Sequence, residues 1–320
     1  MSTASTPAAV AVLDDYQDAA RRFADWSVLG DRARLTVFND HLADPDAVVR
    51  RLQDFDVVCV MRERTPLPRT VLDRLPRLRL VVSTGSRNAS IDAVAAAQLG
   101  IAVAHTGYRS DPTIEMTWAL ILGASRQLVA ENQSFRSGGW QRHVGTGLRG
   151  KTLGVLGLGR VGAEVARVGA AFGMELIAWS PNMTPERAAE HGATAVSKED
   201  LFARADVLTV HMVLSPKTRG LVGAADLARM KPTALLVNTS RGPLVDETAL
   251  IAALRERRIG GAALDVFDSE PLPADHPLRD LDNVLGTPHI GYVADDLYRT
   301  FYGDTVAAVR AWLDARDAQV

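Results

Sequence analysis

Three polar side chains in the last quarter of the chain are of types that together could move a proton beside a bound acid. Arg241 stands in Asn238-Thr239-Ser240-Arg241-Gly242, Glu270 in Asp265-Val266-Phe267-Asp268-Ser269-Glu270-Pro271, and His289 in Thr287-Pro288-His289-Ile290-Gly291. A guanidinium pairs bidentately with a carboxylate. An imidazole gives and takes protons near neutral pH, and a carboxylate beside it favours its charged form. Each residue alone also has a plainer reading: a surface ion pair for Arg241, a solvated loop acid for Glu270, a packed loop histidine for His289. Position is what joins them. Each follows an apolar run of strand type, Ala234–Asn238, Gly261–Val266 or Val284–Gly286, and ligands of open α/β sheets bind beyond the carboxyl ends of the strands. Of the other histidines, His41, His105, His143, His191 and His276 fall in loops or helix ends without metal-ligand spacing, so no metal site is expected. His211, at the end of a strand, stays in view.

A glycine pattern supplies the partner for such chemistry. Gly157-Leu158-Gly159-Arg160-Val161-Gly162 follows the strand pattern Thr152–Leu156 and opens a helical pattern with Val161, Val165 and Val168 on its apolar face. Gly157 permits a tight turn, Gly159 lets a pyrophosphate approach the backbone, and Gly162 lets helix and strand pack closely. The N–H groups of the helix start then face the phosphates. The sequence therefore points to a bound dinucleotide, with Thr239, directly after a later strand run, as a further candidate cofactor contact. Ser180 ends the next strand pattern, Glu175–Trp179, where an acid would hold the ribose hydroxyls of NAD; with Arg160 at the helix start and Asn182 close by, NAD and NADP both remain open.

These residues need a scaffold, and short apolar runs alternating with amphipathic segments supply one of α/β class. In the first third the runs are Ala9–Leu13, Leu35–Phe38, Val57–Met61, Leu80–Val82 and Ile101–Ala104. One long helix is expected from Thr113 to about Phe135, then a polar, glycine-rich loop from Ser137 to Gly150. A second series follows: Thr152–Leu156, Glu175–Trp179, Val207–His211, Ala234–Asn238, Gly261–Val266 and Val284–Gly286. Asp295 to Asp314 reads as a last helix whose pattern fits packing on either domain. The chain of 320 residues thus divides into two domains.

Composition narrows the partners. A net charge of −2 gives no global field for nucleic acid or an anionic membrane, and the most apolar helical stretch, Met116 to Ala124, is far short of the ~20 residues a membrane span needs. The N-terminus carries no secretory pattern, so a cytoplasmic protein is expected. The single cysteine, Cys59, excludes an internal disulfide and reads as a small buried hydrophobe on a strand.

Taken together, GLGRVG, the stretches Leu148–Thr152 and Ala263–Pro271, NTSRGPLVDE (Asn238–Glu247) and TPHIGY (Thr287–Tyr292) resemble the D-isomer-specific 2-hydroxyacid dehydrogenases. The resemblance runs from Val57 to about Val309. It implies hydride transfer between NAD(P)H and a small 2-keto acid or D-2-hydroxy acid. The implied fold is a Rossmann-type dinucleotide-binding domain, 105–294, and a smaller, discontinuous flavodoxin-like substrate domain, 1–104 plus 295–320, with a cleft that closes on substrate. Arg241 would clamp the substrate carboxylate, His289 would exchange a proton with its carbonyl, Glu270 would hold His289, and Asp265 would pair with the nicotinamide carboxamide. Substrate contacts would come from Arg62, Thr84, Gly85, Ser86, Arg87 and Tyr292, and a homodimer would form through roughly Thr113 to Trp140.

Departures from the family pattern bear on specificity. Arg87 takes the place of a second glycine in Gly85-Ser86-Arg87, Val213 that of a proline, Ser180 that of an acid, and Tyr292 that of a smaller residue. Arg62, Arg64 and Arg87 exceed the cations that one carboxylate needs, unless Glu63 or Asp92 neutralises them. Formate dehydrogenases share the cofactor domain but carry glutamine in place of the glutamate present here as Glu270. The rival from another class is a non-catalytic dinucleotide sensor on the same fold.

Overall fold

The computed structural model describes residues 6–318. They divide into two compact units, 6–109 with 293–318, and 110–292.

The first unit is built on five strands: β1 (Ala8–Val12), β2 (Ala33–Val37), β3 (Val57–Val60), β4 (Leu80–Ser83) and β5 (Ala102–His105). All pair in parallel, in the order β2-β1-β3-β4-β5, the flavodoxin-like arrangement. Helices cover both faces of such a sheet, which is why the central strands read as unbroken apolar runs; Val57, Val58, Val81 and Val82 are fully buried. Cys59 lies among them, and burial pushes its thiol up, so it is an inert packing residue. The helix Asp295–Asp317 packs on β4 and on the helix Ala20–Phe23 of this unit, burying Leu297, Phe301, Val309 and Leu313.

The second unit holds seven parallel strands: β6 (Thr152–Leu156), β7 (Glu175–Trp179), β8 (Thr194–Ala195), β9 (Val207–Val210), β10 (Leu235–Asn238), β11 (Gly261–Leu264) and β12 (Val284–Gly286). Their order is β12-β11-β10-β9-β6-β7-β8. Counted from β6, the first six strands run 3-2-1-4-5-6, the Rossmann order, with its switch point between β6 and β9. Strand β8 has two residues, too few for a periodic pattern to reveal.

The long helix expected from Thr113 to Phe135 is instead two, Asp111–Ser125 and Leu128–Arg136, separated by Gln127 in the left-handed region at φ 52°. The first packs against β10, β11, β12 and the helix Arg160–Ala171, so it is mostly apolar from Met116 onward. The second turns polar at Glu131-Asn132-Gln133, and a break lets each lie against its own surroundings. No described helix is long and apolar enough to cross a membrane.

Candidate active site

The glycine turn comes first, because it fixes where a cofactor would lie. Gly157 adopts φ 100°, and a Cβ there would meet the His211 carbonyl at 2.7 Å. At Gly162 a Cβ would lie 2.1 Å from the Gly157 carbonyl oxygen, so only glycine lets the helix Arg160–Ala171 rest on the turn. Around Gly159 a Cβ would touch nothing within 4 Å. Two glycines are thus demanded by the protein's own packing, while the third leaves open space at the helix start, the cradle a pyrophosphate fills. The residues present fit a dinucleotide. Arg160 and Val161 are the first two residues of that helix, and Thr239 is buried, its hydroxyl 2.8 Å from that of Thr117.

The three chemistry-bearing residues follow β10, β11 and β12, which are neighbours in the sheet. After β10, Asn238 folds back on its own loop: its Nδ2 donates to the Arg241 carbonyl at 2.9 Å and its Oδ1 accepts from the Ser240 N–H at 3.0 Å. Ser240 Oγ donates to the Val210 carbonyl at 2.7 Å, tying the loop to β9. At Gly242 a Cβ would lie 2.0 Å from the Phe267 carbonyl carbon, so the loops after β10 and β11 pass backbone against backbone. That passage brings the Arg241 segment beside the Glu270 segment, and Arg241 Nη1 is held by the Ser240 carbonyl at 2.7 Å.

Glu270 takes the Phe267 N–H on Oε1 at 2.9 Å and contacts His289 Nδ1 through Oε2 at 2.5 Å. A carboxylate can only accept, so Nδ1 carries the hydrogen and Nε2 is left to face a reactant. Burial pushes the Glu270 carboxyl up, but the hydrogen bond and charge of His289, the Phe267 N–H and the charge of Arg241 together hold it below its ordinary value. It stays an anion.

His289 itself sits in the left-handed region at φ 52°, with its N–H bonded to the Thr287 carbonyl at 2.9 Å. Asp265, 1% exposed, holds this turn from below. It accepts the Thr287 hydroxyl at 2.6 Å, the Ile290 N–H at 2.8 Å and the Gly291 N–H at 2.7 Å. Burial pushes the Asp265 carboxyl up, against those hydrogen bonds and the His289 charge. The side chain expected at the nicotinamide is therefore bonded to the loop that carries the histidine. Tyr292 is buried and meets the His289 ring edge-on at 5.6 Å. His211, one residue past β9, bonds the Thr209 hydroxyl through Nε2 at 2.8 Å, and burial pushes it down to about 4. It is neutral at the switch point.

In the first unit the expected substrate residues cluster after β3 and β4, which pair side by side. Arg62 has φ 54°, donates its N–H to Thr84 Oγ1 at 2.8 Å and its Nη1 to the Thr84 carbonyl at 3.2 Å, and lies over the Tyr108 ring. A Cβ on Gly85 would strike that guanidinium at 1.7 Å. Arg64 donates to the Asp14 carbonyl at 3.0 Å and stacks over Tyr16. Ser86 and Arg87 are exposed, and Asp92 is engaged as the cap of the helix Ala93–Gln98, accepting from the Ala95 N–H at 2.8 Å. The idea that Asp92 neutralises Arg87 thus finds no ion pair among the described residues. Sequence reasoning passed over Asn238, Ser240 and Gly242 as positioning residues; the Asn-x-Ser spacing of an Asx turn at a strand end was the available signal.

A Rossmann sheet with its glycine turn at the switch point, and an Arg/Glu/His set beyond three adjacent strands, define a dinucleotide-dependent oxidoreductase. The chain belongs to the D-isomer-specific 2-hydroxyacid dehydrogenases: residues 118–291 match the family described as D-isomer specific 2-hydroxyacid dehydrogenase, NAD binding domain. It is 45% identical over 229 residues to the glyoxylate reductase of Aeropyrum pernix, covering 68% of each chain. It is 41% identical over 250 residues to the D-3-phosphoglycerate dehydrogenase of Methanocaldococcus jannaschii, covering 77% of this chain but only 47% of that one, so it spans about half the length of that relative. Among solved structures, a phosphoglycerate oxidoreductase of Vibrio cholerae matches with a TM-score of 0.91 at 36% identity, covering 96% of this chain and 99% of that one. Relatives named as a reductase and a dehydrogenase support a catalyst over a non-catalytic sensor.

Proposed function

We propose that the chain reduces a small 2-keto acid to the D-2-hydroxy acid, or runs the reverse, with Arg241, Glu270 and His289 as its working residues. The observation that carries this is the Glu270–His289 contact at 2.5 Å on a loop that Asp265 braces through the Thr287 hydroxyl and the Ile290 and Gly291 N–H groups. Bound nicotinamide supplies the hydride; the rest falls to the chain. Arg241 holds the substrate carboxylate and so fixes which face of the carbonyl is presented. His289 Nε2 gives a proton to the carbonyl oxygen in reduction and takes the hydroxyl proton in oxidation. Glu270 keeps the ring oriented and compensates the charge that comes and goes on it.

The substrate itself is read from the first unit. Arg62 and Arg87 follow adjacent strands, and Arg87 is exposed, which favours a substrate with a second anionic group. The decisive experiment is NADH and NADPH oxidation with glyoxylate, pyruvate, hydroxypyruvate, phenylpyruvate and 3-phosphohydroxypyruvate. Turnover of none of them defeats the proposal. Arg87→Ala separates the substrate classes: kcat/KM should fall about tenfold or more for a dianionic keto acid and stay level for glyoxylate. Equal losses on both make Arg87 structural.

The working form we propose is a cytoplasmic homodimer. Its support is the run Leu128–Val144, in which Phe135 is 68%, Trp140 74% and Val144 100% exposed. Exposed apolar side chains so grouped are what a second copy would cover.

A further inference from the structure

We infer that Ser180 and Asn182, with Arg160, form a subsite for a 2′-phosphate on the cofactor's adenosine ribose, so that the chain takes NADP(H) at least as tightly as NAD(H). The inference deepens the cofactor reading above and rests on it. Strands β6 and β7 pair with Leu156 opposite Trp179, and the Gly157 N–H donates to the Trp179 carbonyl at 2.8 Å. The residue after β7 is therefore held against the glycine turn, where the adenosine ribose of a bound dinucleotide arrives. That residue is Ser180. An acid there would accept hydrogen bonds from both ribose hydroxyls and repel a phosphate; a serine donates one hydrogen bond and repels nothing.

The surroundings favour an anion. Ser180 opens a tight turn closed by the Met183 N–H on the Ser180 carbonyl at 3.0 Å, with Asn182 exposed at its tip. Neither the Ser180 hydroxyl nor the Asn182 amide has a hydrogen-bond partner among the described residues, so both are available as donors. Two acids lie near in sequence, and neither competes. Glu175 starts β7 and so sits at the opposite end of the strand. Glu186 turns its carboxylate back to its own N–H and the Thr184 hydroxyl. Arg160, the first residue of its helix, supplies a cation on the other side of the glycine turn, and the exposed Arg187 another in the segment after β7.

Calorimetric titration of the full chain with NADP⁺, NAD⁺, adenosine 2′,5′-bisphosphate and 5′-AMP tests this without turnover. NADP⁺ should bind no more weakly than NAD⁺, and the bisphosphate about tenfold or more tighter than 5′-AMP. Ser180→Asp should weaken NADP⁺ by about tenfold while leaving NAD⁺ level or tighter. NAD⁺ binding about tenfold tighter than NADP⁺ to the unaltered chain, or equal losses of both in Ser180→Asp, overturns the inference. If that variant does not fold, the comparison of the two mononucleotides on the unaltered chain decides. Failure to bind either dinucleotide overturns the cofactor reading beneath it as well.

Discussion

At the scale of single residues, the proposed chemistry depends on which nitrogen of His289 carries the hydrogen. Glu270 fixes the hydrogen on Nδ1 of His289, so removing either partner has different consequences. His289→Ala removes the proton donor and should lower kcat by roughly 10²–10⁴-fold with cofactor affinity nearly unchanged. Near-normal turnover in steady-state assays would sink the mechanism. The Glu270 carboxyl is held below its ordinary value, mainly by His289 against the push of burial. A carboxyl depressed on folding adds stability above its unfolded pKa and loses it as pH falls through the folded one. The Glu270 anion and the stability it contributes should therefore persist at neutral pH and fade only as pH falls below the ordinary carboxylate range, which chemical denaturation followed across pH checks. In Glu270→Gln the side chain keeps its shape and loses its charge. Its pH–rate profile should shift to lower pH, because the protonated ring no longer has an anion beside it and gives up its proton more readily; an unshifted profile in buffered assays would assign Glu270 a purely structural part.

At the scale of elements, the structure works by making loops from adjacent strands pass so closely that only glycine fits. Gly242 is the sharpest case, since a Cβ there would meet Phe267 backbone at 2.0 Å and Asp268 nitrogen at 2.6 Å. Gly242→Ala must push the loops after β10 and β11 apart. It should cost about 1–3 kcal/mol of stability, as overpacking does, and lower kcat through a displaced Arg241. A thermal melt together with kinetics checks this, and an unchanged melting temperature with unchanged kcat would mean the loops yield freely. The same elements show what a sequence can and cannot reveal. The glycine turn was legible because its three glycines sit between a strand pattern and a helix pattern, and the Arg/Glu/His set because each follows an apolar run. The break at Gln127 was not, since Leu128-Val129-Ala130 continues the apolar character of the helix before it. The brace from Asp265 was equally hidden: its bonds to Ile290 and Gly291 are to backbone N–H groups 25 and 26 residues away, and no spacing rule encodes such a partner. The cofactor contact that the family resemblance implies for Asp265 and its bonds to the loop of His289 are compatible roles of one carboxylate.

At the scale of the whole molecule, the exposed apolar run of the second unit is the surface that the proposed dimer would use. The helix Leu128–Arg136 is joined to the following loop by its own polar side chains. Glu131 accepts the His143 N–H at 2.7 Å, and Ser134 Oγ donates to the Trp140 carbonyl at 3.0 Å. These bonds tie the loop to the helix, while Phe135, Trp140 and Val144 are exposed. An ordered apolar surface costs little entropy to bury, which suits a permanent contact between copies better than a transient one. Leu128 and Val129, about half exposed at the start of the helix, extend it. If a second copy covers this surface, a charge placed within it must be buried unpaired, at a cost of several kcal/mol. Trp140→Asp should then shift the chain from dimer to monomer in sedimentation velocity at micromolar concentration, with far-UV circular dichroism unchanged because nothing inside the unit is disturbed. A similar charge at exposed Val28, on the first unit, should leave the sedimentation coefficient where it was. A Trp140→Asp protein that sediments as the unaltered chain does would remove this surface from the interface.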